Sequence, residues 1–289
     1  MNDRTCYIIN FYLGERRKTT RYSYQNDKLY FLKSQIETLE KYSHSLTKII
    51  FNFNIREEDY PLISTIFKIT PKFIQGTEIE INFRENIGMS YGAWSDLSLK
   101  YKDEFDYFIF NEDDYFFIQN NWDSYLRDKY ISYPDCGYLC LAIREPNIWN
   151  EYKKYAGHAS GITSTSNLQK VIDKHGRIPF YRTSTEYSQG EKSQHIFSFS
   201  YLEVGLNIYD IRDDYKLDFA WTSGDEYDIQ RFFYWNSLPL CTPARLYEFG
   251  DHIWYQASDT EFLDIYKPTT LEQALKCYND KLPYYDVIT

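Results

Sequence analysis

Residues 105–118 read Phe105-Asp-Tyr-Phe-Ile-Phe-Asn-Glu112-Asp113-Asp114-Tyr-Phe-Phe-Ile118. A short, nearly unbroken aromatic and aliphatic run of this kind predicts a strand over 105–110 buried on both faces, the pattern of a parallel sheet. It stops abruptly in three acids, and aromatics resume at Tyr115. Carboxylates at the carboxyl end of such a strand sit where open α/β sheets present their loops to a crevice. Held at the edge of a dry interior, three adjacent acids repel one another, and a cation relieves the repulsion. Hard oxygen donors suit Mg2+ or Mn2+, which takes one or two carboxylates and completes its shell with water and substrate phosphates.

Working outward, the flanks alternate short β-rich runs with amphipathic segments. Residues 6–12 (CYIINFY) predict a first strand, and Leu29, Leu32, Ile36 and Leu39 recur at helical spacing up to about Lys41. A second strand is expected over 46–53, a short helix over 56–67 and a third strand over 78–83. A helix over 88–102 follows, with Ala93, Leu97 and Tyr101 on one face. Beyond the acids, 136–143 predicts another strand, and Leu168, Val171 and Ile172 mark a helix opened by a Ser166/Gln169 capping box. A helix over 191–204 closes at Gly205 before a last strand near 206–211. The order βαβαβα describes an α/β fold, a sheet with helices on both faces. After Asp213 the periodicity fades until a late helix, where Thr269 and Glu272 have capping-box spacing. Without an internal repeat or a Gly/Ser/Pro linker, the expectation is a single domain, with a core over 1–211 and a C-terminal elaboration over 212–289 packed on it.

Composition narrows the function classes. The 289 residues carry 32 Lys+Arg against 42 Asp+Glu, a net charge of −10, which argues against a protein built to grip nucleic acid. Twelve Gly, nine Pro and 43% hydrophobic residues exclude collagen-like, low-complexity and disordered chains. Five scattered cysteines without a CxxC disfavour a disulfide framework or a structural zinc site and suit a reducing compartment. With no basic leader and no apolar run of about 18 residues, no integral membrane segment and a cytoplasmic location are expected. Aromatic residues make up 19%, which could serve stacking on sugars but which AT-rich coding explains more readily, so this decides nothing.

The run Arg84-Glu85-Asn86-Ile87-Gly88-Met89-Ser90-Tyr91-Gly92-Ala93-Trp94, followed by a helix and then by FDYFIFNEDDYFF, resembles the nucleotide-sugar glycosyltransferases of the GT-A fold in order and spacing. The resemblance spans roughly residues 5–211. It implies a Rossmann-like, mostly parallel sheet flanked by helices. It also implies transfer of a sugar from a nucleotide diphosphate sugar to a carbohydrate or other hydroxyl acceptor, with Mn2+ or Mg2+ as cofactor. By the same resemblance Glu112 and Asp114 match the outer acids of the family's DxD motif as metal ligands, Asp114 foremost, and Asp113 the middle position. Asn86 and Gly88 match the turn that approaches the nucleotide, with Arg84 beside base or diphosphate. Further nucleotide contacts fall on Phe11, on Tyr12, whose ring suits stacking on uracil or guanine, on Arg16 or Arg17, and on Asn52 or Asn54. His252, in the C-terminal elaboration, stands where some relatives supply a residue to metal or diphosphate.

Residues 155–164 resemble the family's Gly-containing stretch beneath the donor sugar, where small residues permit close approach; His158 within it reads as an ordinary histidine. The segment Gly190-Glu191-Lys-Ser-Gln194-His195 is similar to the one that supplies the acid-base residue of inverting members. Gln194 falls where that acid is expected and cannot take a proton, so Glu191 is the first candidate base and His195 the second. Three departures stand out: Glu at the first outer acid, Asn in place of an acid ending strand two, and Gln194. Asp213 and Asp214 form a rival acidic pair without a buried aromatic flank. Two other readings remain. A sugar-1-phosphate nucleotidyltransferase has a related sheet but opens with a Gly-rich loop, and Leu13-Gly14-Glu15-Arg16-Arg17 has one glycine. A catalytically inactive carbohydrate-binding protein of the same fold would accommodate Gln194.

Overall fold

In the computed structural model the description covers residues 3–13, 28–113, 115–117, 120–144, 155–180 and 187–211, with the backbone alone at 141–144, 155, 157–159 and 187–192. Eight strands form one sheet: β1 (Thr5–Tyr12), β2 (Lys48–Ile55), β3 (Phe73–Ile74), β4 (Thr77–Glu85), β5 (Tyr107–Glu112), β6 (Cys136–Arg144), β7 (Tyr155–Ser164) and β8 (Asn207–Asp210). Their order is β3-β4-β2-β1-β5-β7-β6-β8. The pairs β4·β2, β2·β1, β1·β5 and β6·β8 are parallel; β3·β4, β5·β7 and β7·β6 are antiparallel. The helices are α1 (Tyr30–Lys41), α2 (Ile63–Ile69), α3 (Met89–Tyr101), α4 (Trp122–Ile131), α5 (Thr165–His175) and α6 (Tyr187–Leu202). The fold is the expected α/β class: a mostly parallel, Rossmann-like sheet with helices.

The chain forms two compact units. Among the described residues the first holds 3–13, 44–112, 123–144, 155–180 and 187–211, and with them the whole sheet; the second holds 28–43, 113, 115–117 and 120–122. In the second unit α1 buries Phe31, Leu32 and Leu39. The buried Gln35 amide donates to the carbonyls of Asp113 at 2.9 Å and Tyr115 at 2.6 Å, so one side chain pins the backbone that follows the acidic strand end. Phe117 and Trp122 stack at 3.8 Å.

In the first unit, alternate residues of the central strands build the core. Cys6, Ile8, Ile50, Phe108, Phe110, Tyr138 and Cys140 join Tyr91, Trp94, Leu97 and Tyr101 of α3, Leu168 and Val171 of α5, and Phe197 and Tyr201 of α6. Trp94 is fully buried, stacked on Phe110 at 5.3 Å and edge-on to Tyr91 at 5.1 Å. None of the helices among the described residues is long and apolar enough to cross a membrane.

Near the amino end of β4, Glu80 is ringed by Lys48 at 2.8 Å, Lys100 at 3.0 Å and the Tyr101 hydroxyl. Burial alone would raise its carboxyl; hydrogen bonds from Lys48, Tyr101 and Lys100 outweigh that and bring it down to about 2. A depressed acid stabilises the fold above its unfolded pKa, near 4.3, and the gain disappears as pH falls through the folded value. The wild type is therefore expected to lose thermal stability between about pH 5 and pH 2 faster than Glu80→Gln. Parallel melting curves for the two proteins over that range would refute the ring's contribution.

Several elements differ from expectation. The β5 strand runs to Glu112 rather than stopping at 110, because Asn111 and Glu112 keep pairing with β1. The stretch 155–164, to which the sequence assigned no element, is a ten-residue strand antiparallel to β5 and β6. Its Gly161 is required by packing: a Cβ there would lie 2.1 Å from the Leu139 carbonyl oxygen. The α5 cap is Ser164, whose hydroxyl accepts from the Asn167 N–H at 3.3 Å; Gln169 instead bonds Asp173, so the capping box placed at Ser166 is not formed. The helix expected over 56–67 is a 3₁₀ turn, Glu57–Leu62, leading into α2; Pro61 lies inside that turn and lacks the N–H that an α-helix needs. Both β3 and α4 were not anticipated. Arg16, Asp114, Asp213, Asp214, His252 and the late helix expected at Thr269 lie outside the described residues.

Candidate functional site

Three strands carry the same dipeptide, Asn10-Phe11, Asn52-Phe53 and Asn82-Phe83, and pairing sets the three copies side by side. Since successive residues of a strand point to opposite faces, each copy contributes once to each side. The phenylalanines form a ladder on one face, Phe11 on Phe53 at 4.8 Å and Phe53 on Phe83 at 5.4 Å. The asparagines form a ladder on the other. Asn82 Nδ2 donates to Asn52 Oδ1 at 2.6 Å, and Asn52 Nδ2 donates to Asn10 Oδ1 at 2.6 Å.

The register continues one strand further, where Asn10 stands opposite Glu112. These two side chains are joined through helix α3: Asn10 Nδ2 donates to Ser90 Oγ at 3.2 Å, and the Ser90 hydroxyl donates to Glu112 Oε1 at 3.0 Å. The Glu112 N–H in turn donates to Ser160 Oγ of β7 at 3.2 Å. The apolar face formed by Ile8, Ile50, Phe108 and Phe110 thus turns polar at the carboxyl ends of four parallel strands, and Glu112 closes the row, partly exposed.

The turn from β4 into α3 is held from below. Arg84 donates from Nη1 to Asn54 Oδ1 at 3.1 Å and to the Ile87 carbonyl at 2.9 Å, and from Nη2 to Asp96 at 2.9 Å. Asn54 Nδ2 donates to the Met89 carbonyl at 3.0 Å. Two glycines make the turn possible. Gly88 has φ +76°, and a Cβ there would meet the Phe180 ring at 2.1 Å; a Cβ on Gly92 would meet the Ile87 carbonyl oxygen at 2.0 Å. Asn86 Oδ1 is buried without a hydrogen-bond partner, an acceptor left over in the turn.

The sequence-derived residues therefore divide. Asn52, Arg84, Gly88 and Glu112 lie in or beside one hydrogen-bonded network, with Asn86 in the same turn. Asn52 is fully buried and hydrogen-bonds to Asn10, Asn54 and Asn82, so it orients neighbours. Tyr12 ends β1 with the Arg56 guanidinium 5.7 Å over its ring. Asp113 is buried and belongs to the second unit. Glu191 lies in the first turns of α6, described there by its backbone; His195, one turn on, is buried. Sequence reasoning missed Asn10, Asn82, Ser90 and Ser160, and the repeated Asn-Phe pair was the signal for the first two.

Among the described residues no group of three His, Cys, Asp or Glu side chains gathers to hold a metal. The Ser90 hydroxyl lies against the Glu112 carboxylate and the Ser160 hydroxyl against the Glu112 N–H, so oxygen donors stand at this strand end. That set fits a hard cation bound by one or two carboxylates and completed by phosphate and water. The orphan acceptor of Asn86 fits a ligand that brings an N–H or O–H donor.

No protein-family model matches the sequence, and no curated protein matches it. Among solved structures, CMP:2-keto-3-deoxy-manno-octonic acid synthetase complexed with CTP is 10% identical, over 72% of this chain and 89% of that one, with a TM-score of 0.42. Staphylococcus aureus TarS 1–349 in complex with UDP is 11% identical over 69% and 55%, with a TM-score of 0.39. The glycosyltransferase GlyE of Streptococcus pneumoniae is 13% identical over 97% and 64%, with a TM-score of 0.44. This chain thus spans less than two thirds of the TarS and GlyE chains. Values of this size leave the argument to the residues.

Proposed function

We propose that the chain is a metal-assisted transferase that moves a sugar from a nucleotide diphosphate sugar to a carbohydrate or other hydroxyl acceptor. The observation that carries the reading is the polar row at the carboxyl ends of four parallel strands, terminating on a partly exposed Glu112 fixed by Ser90 at the start of α3. Open α/β sheets bind ligands at this end, and the first turn of a helix favours phosphate.

In this account Glu112 and Asp114 would hold the divalent ion, with Asp113 the middle acid of the motif and His252 in the C-terminal elaboration as a further donor. When bound, the ion neutralises charge developing on the departing diphosphate. Tyr12, Arg16 and the Asn86–Gly88 turn receive the nucleotide, while Asn52 and Arg84 hold that turn and the strand ends in place. Glu191, or His195 after it, removes the proton of the acceptor hydroxyl. The freed oxygen bonds to the anomeric carbon of the donor as the bond from that carbon to the diphosphate oxygen breaks, and the nucleoside diphosphate leaves with the electron pair.

The test is product analysis after incubation with UDP- or GDP-sugars, with Mn2+ and with a chelator in its place. Release of nucleoside diphosphate that needs the metal is expected. Glu191→Gln should lower turnover far more than donor affinity. Release of pyrophosphate from a nucleoside triphosphate plus sugar phosphate would make the chain a nucleotidyltransferase instead, and the absence of any turnover with retained binding would leave a carbohydrate-binding protein.

A further inference from the structure

We infer that Asn82, Asn52, Asn10 and Ser90 form a one-way hydrogen-bond relay across four strands that fixes the Glu112 carboxylate, with Ser90 as its positioning residue. The inference rests on Glu112 belonging to the site proposed above.

The direction of the relay follows from donor and acceptor counts. An ionised carboxylate only accepts, so the single proton of the Ser90 hydroxyl is committed to Glu112 Oε1 at 3.0 Å. The Ser90 oxygen must then accept, and Asn10 Nδ2 supplies the donor at 3.2 Å. With its nitrogen turned to Ser90, Asn10 presents its carbonyl to β2 and receives Asn52 Nδ2 at 2.6 Å; Asn52 likewise receives Asn82 Nδ2 at 2.6 Å. A primary amide is symmetric enough to face either way, yet all three face the same way: the anion at the end favours this sense, and Asn54 Oδ1, which accepts from Asn52 Nδ2 at 3.2 Å, supports it at the middle of the row. Three strand spacings separate the ends, about 14 Å. Asn10, Asn52 and Ser90 are buried, and in such surroundings aligned hydrogen bonds polarise one another toward the terminal acceptor.

A row of asparagines that merely locked strand register would need neither the common direction nor the serine. The two roles separate by experiment. With the side-chain amide signals of Asn52 and Asn82 assigned by NMR, Glu112→Gln should move both, since it removes the anion that favours this direction. In a Ser90→Ala background the same substitution should leave both in place. Mn2+ titrated alone should bind Ser90→Ala about ten- to a hundredfold more weakly than wild type in a variant that remains folded by far-UV circular dichroism, and Ser90→Thr should restore binding. Amide signals that ignore Glu112→Gln, or that respond equally with and without the Ser90 hydroxyl, would overturn the relay. If the wild type binds no Mn2+, the metal site fails while the amide signals still decide the relay.

Discussion

Trp94→Ala is expected to cost about 3–5 kcal/mol, the range for truncating a large aromatic in a packed core. Trp94 is fully buried, stacked on Phe110 and flanked by Tyr91 and Phe197. With typical stabilities of about 5–15 kcal/mol this is a large share of the total. The loss also reaches the site. Ser90 lies four residues before Trp94 and so shares its face of α3, while Glu112 lies two residues after Phe110 and shares its face of β5. The Trp94–Phe110 stack and the Ser90–Glu112 hydrogen bond are parallel struts between the same helix and strand. Urea denaturation should show the midpoint falling sharply in Trp94→Ala and less in Trp94→Phe. A loss below about 1 kcal/mol would mean that the stack is not the brace described.

Asn52→Leu is expected to destabilise by about 2–4 kcal/mol, although it swaps a polar side chain for an apolar one of similar size in a fully buried place. The substitution leaves the buried Asn10 Oδ1 without its donor and the part-buried Asn82 Nδ2 without its acceptor, and a buried group so stranded costs about 1–3 kcal/mol. Asn82→Leu, at the more exposed end of the row, strands only Asn52 Oδ1 and should cost less. Thermal and urea unfolding of the two variants checks the order. Equal and small losses would show that the row is not a continuous buried network.

The fold class was legible because the decisive signals are local. The FDYFIF run, the helical spacing of Leu29 to Leu39 and the αL glycine at Gly205 that follows α6 each announce themselves within a few residues. β7 was hidden because Tyr155–Ser164 is rich in Gly, Ala and Ser; it is a strand because β5 and β6 accept it between them, with Gly161 allowing the close approach. At the site, the acidic strand end and the Asn86–Gly88 turn were visible as motifs. The asparagine row was not, since each Asn looks like one polar interruption in an apolar strand, and only register turns three interruptions into one network. The same holds for the strand end: two more residues of pairing with β1 bring Glu112 into line with Asn10. Arg84 shows the converse. A basic residue beside a glycine turn that opens a helix invites a ligand role, and in the structure its guanidinium also bonds Asn54, Ile87 and Asp96.

The central claim is that Glu112, at the end of the polar row, helps a divalent ion receive a nucleotide diphosphate sugar. Calorimetric titration of UDP- and GDP-sugars into the wild type and Glu112→Ala, each with Mn2+ and with chelator, tests it most directly. The account predicts saturable, Mn2+-dependent heat in the wild type that disappears in Glu112→Ala while the variant remains folded by far-UV circular dichroism. Equal heats in the two proteins, or none in the wild type with any donor, would contradict it.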